Sequence, residues 1–378
     1  MPARVAGDRA SAAQVLGLAA HAVIRECFQF RFDYPLEIDT QAGPRESPHY
    51  YLYGEKLSWS VMRMDAEGIP RAWGRVYGLV YKPAYIAWWG LVNLGHYLRR
   101  GDEAHKAVFL RQVDWLEARA VVRADGSAVW PNPFHCLQGR TLLRAPWVSA
   151  YDQGMVISAM VRGYRLTGRP SLLELLRRSW RVFQLYVDQG GVRVPVDTNA
   201  VVYAELPGGP VPGILDGFMT ALLALYDLAV ETGDPTVSRL FQDGIRGLKK
   251  ELPQWDYRSK WSWYGSRAYL SPPSYHHLHR MQLETLARLC AEPIFAEYSR
   301  NWDPKRFSAA DRAEIYARFV IGKNARRLKH RTWRQNRKRL LEIITNEEPA
   351  PANVAPDRPK PMEHVGPVAR VSSSLRSA

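Results

Sequence analysis

From residue 84 onward, apolar positions recur at three- and four-residue intervals, the spacing that puts them on one face of an α-helix. This pattern predicts helices at 84–99, 103–120, 150–167, 171–188, 216–231, 235–251 and 277–290. Pro83 suits the first turn of the first helix, and Gly101 suits its stop. Thr167-Gly168-Arg169-Pro170 and Thr232-Gly233-Asp234-Pro235 are near-copies, each with a Gly stop and a Pro start between two helices of similar length. They predict a repeated helical hairpin. Short β segments, such as 192–196 and 201–204, separate the hairpins. The fold expected is therefore mainly α: an (α/α) barrel, a toroid of helical hairpins, with short β-hairpins at the cleft end and an N-terminal β or extended segment.

The same pattern divides the chain. Residues 1–27 read as a helical arm, because the apolar run is interrupted by Gln14 and His21 and lacks the clean core of a signal peptide. Residues 28–82 are aromatic and Pro-rich, with a turn at 65–70 and a strand at 75–81, and are expected to contribute to the cleft. The catalytic barrel is placed at 83–322. Residues 323–345 read as a basic helix carrying Trp333, Leu340, Leu341 and Ile344. Residues 346–378, rich in Pro, Ala, Ser and Arg, read as disordered.

Charge and composition narrow the partners. The net charge of +15 favours an anionic partner. Much of it sits in one run: Lys323, Arg326, Arg327, Lys329, Arg331, Arg334, Arg337, Lys338 and Arg339, with no acid between. This run suits an anionic membrane surface, or is simply a solvated helix face. No nucleic-acid recognition module is visible, so none is expected as a partner. Thirteen Trp and 19 Tyr fit sugar stacking as well as a core. Cys27, Cys136 and Cys290 make no disulfide framework, which points to a reducing compartment. The expected location is cytoplasmic, or peripheral at the inner face of the membrane, since no run reaches the roughly 18 to 20 apolar residues of a span. A homodimer is left open.

Four clusters concentrate chemistry. The first is Tyr77, Tyr81, Lys82 and Tyr85 at a strand-to-helix junction. The second is 147–154, with Tyr151 and Gln153 at a helix start. The third holds Tyr203 and Glu205, followed by Asp216, whose place before an apolar run suits a helix N-cap. The fourth runs from Tyr264 through Arg267 to Tyr275, His276, His277 and His279. The histidines match no metal-ligand spacing, and no phosphate loop or nucleophile elbow is present.

Together these clusters resemble the D-glucuronyl C5-epimerases, the enzymes that modify heparosan and heparan sulfate. The resemblance lies in Glu205-Leu206-Pro207 followed by Leu215-Asp216-Gly217-Phe218-Met219, where the family has Asn in place of Asp216, and in Leu225-Tyr226-Asp227-Leu228. It continues in Trp147, Ser149, Ala150, Gln153 and Gly154; in Tyr264 and Arg267; and in Tyr275, His276, His279, Gln282 and Leu283. Glu67 to Pro70 and Tyr81-Lys82-Pro83 are similar to the family's N-terminal signature. The animal enzymes insert a β-rich domain for which the gap between Leu98 and Trp130 is too short, so the chain resembles a compact, bacterial-type relative.

The resemblance implies an isomerase that converts D-glucuronate to L-iduronate within a heparosan-like or other acidic polysaccharide. It implies Glu205, Tyr264 and Tyr275 as catalytic, with Tyr81, Tyr151, Gln153, Tyr203, Arg267, His276 and His279 binding substrate. Such chemistry removes a proton alpha to a charged carboxylate, so the carboxylate must be neutralised; the Arg267 fork is the expected clamp. A tyrosine with a lowered pKa is expected as base and Glu205 as acid, without assignment to faces. No cofactor and no metal is called for. A polysaccharide lyase and a non-catalytic acidic-glycan-binding protein are the alternatives.

Overall fold

The computed structural model describes residues 30–329, except 33, 55–61, 75, 139–140, 210, 212 and 266–268, and in addition positions 13, 17, 20, 24 and 338–343. Positions 13, 17, 20 and 24 are helical, as are 338–343. The rest of the expected N-terminal arm, much of the basic helix and the whole expected tail at 346–378 lie outside the described residues.

Among the described residues, four helices of 18 residues stand side by side: α1 (Pro83–Arg100), α3 (Ala150–Thr167), α5 (Leu215–Thr232) and α7 (Pro273–Cys290). Each packs on the next, in the order α1, α3, α5, α7. Each also has an outer partner: α2 (Glu103–Ala118), α4 (Pro170–Ser179), α6 (Pro235–Glu251) and α8 (Pro293–Asn301). Two-residue connections join the partners, which forces them antiparallel. Inner helices are buried on nearly all sides, as α5 is from Leu215 to Leu225. Outer helices bury one stripe, such as Val237, Leu240, Phe241, Ile245 and Leu248 of α6. A further helix, α9 (Ala309–Lys329), packs on the strand Tyr269–Leu270.

Close approach between α3 and α5 depends on Gly154. A Cβ there would lie 3.0 Å from the Cα of Ala221 and 3.1 Å from the carbonyl oxygen of Thr220.

Short antiparallel strands fill every connection from an outer helix to the next inner one. β1 (Leu36–Ile38) pairs with β2 (Leu52–Gly54), and β3 (Met62–Met64), β4 (Pro70–Gly74) and β5 (Gly78–Tyr81) form a sheet that leads into α1. The pairs β6 (Val121–Val122) with β7 (Ala128–Val129), and β8 (Cys136–Gln138) with β9 (Thr141–Leu143), precede α3. β10 (Arg193–Pro195) and β11 (Val201–Tyr203) precede α5. The sheet of β12 (Asp256–Tyr257), β13 (Trp261–Tyr264) and β14 (Tyr269–Leu270) precedes α7. The strands that lead directly into an inner helix therefore gather at the end where the inner helices begin, while β1 and β2 run along the helices towards His96 and Arg288.

A buried ion pair ties the N-terminal segment to this row. Arg162 of α3 and Asp227 of α5 are fully buried and bonded to each other. Tyr51 donates to Asp227 at 2.6 Å and Ser158 donates at 2.9 Å, while the Arg162 guanidinium donates to the carbonyl of His49 at 3.1 Å. Every strong charge there has partners, which is what makes its burial tolerable.

The mainly helical, hairpin-repeated expectation holds, and the paired helices stand as a row; among the described residues no closed ring of helices is recorded. Three boundaries differ. The helix expected at 171–188 stops at Ser179 and gives way to tight turns at Arg181–Phe183 and Val187–Gln189. The helix expected from 277 begins at Pro273, because Pro273 fits a first turn, so Tyr275 and His276 are helical. In the expected strand 75–81, Gly78–Tyr81 is extended, whereas Val76 and Tyr77 lie in the turn of the β4–β5 hairpin.

All four hairpins turn through one left-handed residue: Gly101, Gly168, Gly233 and, in the last, Ala291 at φ 54°. A Cβ is disfavoured in that conformation by about 1–2 kcal/mol. Ala291→Gly is therefore expected to stabilise the protein by about 1 kcal/mol, after allowing for glycine's greater freedom in the unfolded chain. Urea denaturation with an unchanged or lower midpoint would contradict this account.

Candidate active site

Charged and phenolic side chains gather at the first turns of the inner helices. Lys82 immediately precedes α1, Tyr151 and Asp152 lie in the first turn of α3, Asp216 and Gly217 in that of α5, and Tyr275 in that of α7. Unpaired backbone N–H groups give each of these ends a partial positive charge. Carboxylates collect there. Asp152 accepts from the Ala84 amide at 3.1 Å, which closes the start of α1, and from Asn132 at 2.7 Å. Glu205, in the loop after β11, lies directly on Gly217: a Cβ at that glycine would come within 2.0 Å of Glu205 Oε2. Only a glycine at this point of α5 leaves room for the carboxyl group.

Lys82 is the cation of this cleft. Its Nζ sits 4.9 Å from the centre of the Tyr85 ring and 5.6 Å from that of Tyr151. Burial by itself pulls the ammonium pKa down, but Asp152 first, then Tyr85 and Glu205, more than offset this and hold it above its ordinary value.

Three phenols complete the group. Tyr264 meets Tyr275 edge-on, with ring centres 5.2 Å apart, and stacks on Tyr269 at 5.3 Å. Burial pushes the hydroxyls of Tyr151, Tyr264 and Tyr275 well above the usual phenol range, and the neighbouring phenols, Asp216 and Glu205 add to the effect. The expectation of a tyrosine with a lowered pKa is thus reversed: at neutral pH these hydroxyls keep their protons. The mutual influence of these residues places Glu205, Tyr151, Tyr264 and Tyr275 in one neighbourhood.

Other expected site residues lie elsewhere. Tyr203 is fully buried, donates to the carbonyl of Leu240 at 2.7 Å and packs edge-on against Phe183; it is a core residue. Gln153 is buried and donates to the carbonyls of Ala128 and Ser179 at 2.8 and 2.9 Å, so it braces α3 and does not face a ligand. Tyr81 donates to Asp65 at 2.7 Å, and burial, then Asp65, push its hydroxyl up to about 12; its other charged neighbours are Arg71 and Arg119. His276 is stacked on Trp261 with ring centres 3.6 Å apart, and burial holds its imidazole neutral, well below the ordinary pKa. It supports the floor of the site. Arg267 lies outside the described residues.

Asp216 is not the helix N-cap. Ile214 takes that position, while Asp216 is in the first turn, 3% exposed, with its Oδ1 3.6 Å from His279 Nε2. Gln282 of α7 donates to the Asp216 carbonyl at 3.1 Å and to Thr220 at 2.9 Å, locking α7 to the start of α5. Sequence reasoning placed Lys82 and Tyr85 in a cluster of candidate chemistry without giving either a role, and read Asp216 as a helix cap. The signal for Lys82 was its place before Pro83 among tyrosines; that for Asp216 was its closeness in sequence to Glu205.

A family model described as the D-glucuronyl C5-epimerase C-terminus matches residues 125–304. A D-glucuronyl C5-epimerase of Caenorhabditis elegans is 26% identical over 220 residues, which is 53% of this chain and 35% of that protein. An uncharacterized protein of Methanocaldococcus jannaschii is 26% identical over 159 residues, 41% of this chain and 51% of that one. The chain thus spans about half the length of the archaeal relative and about a third of the nematode one. The crystal structure of a D-mannose isomerase aligns over 89% of this chain and 86% of its own at 12% identity with a TM-score of 0.41, a likeness too loose to fix the fold. Residues 125–304, the part of the chain that carries Tyr151, Glu205, Asp216, Tyr264 and Tyr275, are thus similar to the C-terminus of the D-glucuronyl C5-epimerases.

Proposed function

We propose that this cleft inverts C5 of a hexuronate residue within an acidic polysaccharide, D-glucuronate to L-iduronate in a heparosan-like chain being the expected case. One observation carries the reading: a buried ammonium, a carboxylate seated on a helix N-terminus and three proton-bearing phenols share one cleft. In this reading the Lys82 ammonium pairs with the uronate carboxylate and quiets the charge that builds on it as the C5–H bond breaks. Glu205 takes the proton from C5, and the electron pair spreads into the uronate carboxylate. The Tyr275 hydroxyl, held protonated by its surroundings, supplies a proton to the opposite face, and a new C5–H bond forms. The resulting phenolate regains its proton by exchange. The row of inner helices is read as the wall of an (α/α) barrel, with β1 against α7 and β2 against α1 standing between its two ends.

Incubation with heparosan in heavy water tests the assignment: deuterium at C5 and appearance of iduronate are expected. An ultraviolet-absorbing unsaturated product would mark a lyase in its place. Glu205→Gln and Tyr275→Phe are each expected to fold normally and to lower C5 exchange by about 10²–10⁴-fold, the usual weight of a general acid or base. Full exchange in both variants would remove them from the chemistry.

Lys82→Met is expected to cut turnover at saturating polymer by about 10²-fold through loss of charge stabilisation; unchanged turnover assigns the carboxylate to another cation. Gly217→Ala should barely alter thermal stability yet displace the Glu205 carboxylate, reducing exchange by about 10²-fold. Wild-type exchange rates in that variant would show that the position of Glu205 on the helix end is immaterial.

A further inference from the structure

Beneath the cleft, one line of polar groups runs from the outer edge of α7 to its floor: the Trp302 carbonyl, His276, Ser262, His279 and Asp216. Its hydrogen bonds have a direction. The Ser262 amide donates to His276 Nδ1 at 3.1 Å, so that nitrogen carries no proton, and His276 Nε2–H donates to the Trp302 carbonyl at 2.9 Å. Ser262 Oγ also lies 2.9 Å from His276 Nδ1, a contact that attracts only if the hydroxyl donates. Oγ is then an acceptor towards His279 Nδ1, 2.8 Å away, which must carry a proton. The far nitrogen of that ring, Nε2, faces Asp216 Oδ1 at 3.6 Å. A bare lone pair against an ionised carboxylate repels. The pair attracts when one proton lies between them, as imidazolium with carboxylate or as imidazole with carboxylic acid, and both forms have no net charge.

We infer that Asp216 and His279 form a one-proton couple that keeps the cleft floor from presenting a negative charge to an anionic sugar, and that loss of this proton as pH rises weakens substrate binding. This rests on the epimerase reading of the same cleft. His279 acts here as a positioning residue, through Asp216. The couple is set among Tyr151 of α3, Glu205 of the loop after β11, Tyr264 of β13, and Tyr275 and His276 of α7. The three phenols are neutral at working pH and His276 is a neutral neighbour, so the charges beside the couple are the Lys82 ammonium, near Tyr151, and one carboxylate, Glu205. Deprotonation would set a second carboxylate beside it. A third negative group, the uronate itself, would then have to enter.

The test has two arms. Nitrogen–proton correlation spectra of the imidazoles in the ligand-free protein should show His279 protonated at Nδ1, with the additional proton lost at lower pH in Asp216→Asn than in the wild type. In steady-state assays, KM for heparosan should rise about tenfold per pH unit once that proton is lost, as one-proton linkage requires, while kcat moves less. Asp216→Asn should flatten the KM rise, and His279→Gln should raise KM at every pH by removing the imidazole that faces Asp216. A bare Nδ1 on His279, or an identical KM profile in wild type and Asp216→Asn, overturns the couple. The spectra require no substrate, so a wild-type protein that exchanges nothing at C5 refutes the epimerase reading alone, and the wild-type spectrum still decides the couple if a variant does not fold.

Discussion

Everything chemical in this protein depends on four inner helices beginning at the same end. Each helix start leaves backbone amides without intrahelical partners, and their partial positive charge is strongest within the first turn. Bringing α1, α3, α5 and α7 together at that end creates a region where carboxyl groups can be buried at tolerable cost. Asp152 on the start of α1, Glu205 on Gly217 and Asp216 in the first turn of α5 occupy it. A substrate that is itself a carboxylate suits the same field.

The parallel alignment of those starts is held by contacts that leave little latitude. Gly154 lets α3 approach α5 to backbone contact, and Gln282 ties α7 to the first turn of α5. Farther along, the Arg162–Asp227 pair joins α3 to α5 and fastens the chain at His49 and Tyr51 against them. A buried pair of this kind costs desolvation, and removing either partner alone would leave a charge stranded. Its value is that it accepts one arrangement of three segments.

Burial also decides the direction of proton traffic. The same apolar walls that exclude water raise the three phenols, whereas the crowd of negative groups around Lys82 keeps the ammonium charged despite its burial. The phenols therefore keep their protons and the lysine keeps its charge. Both shifts are upward, and together they set protonated phenols beside a charged ammonium.

What the chain by itself determined is local. Its three- and four-residue apolar rhythm, the Gly–Pro punctuation between helices and the alternation with short strands set the helical hairpins and the positions of Glu205, Tyr264 and Tyr275 beside helix starts. These are matters of neighbouring residues, legible because a helix face repeats every few positions. Tertiary structure decided the rest. Tyr203 and Gln153 sit next to cleft residues in sequence yet point into packing, since a side chain's surroundings come from the elements laid against it. Lys82 and Asp216 entered the site for the converse reason: their partners, Asp152, Tyr151 and His279, lie about 60 to 70 residues away, a distance that only the packing of one helix on the next can close.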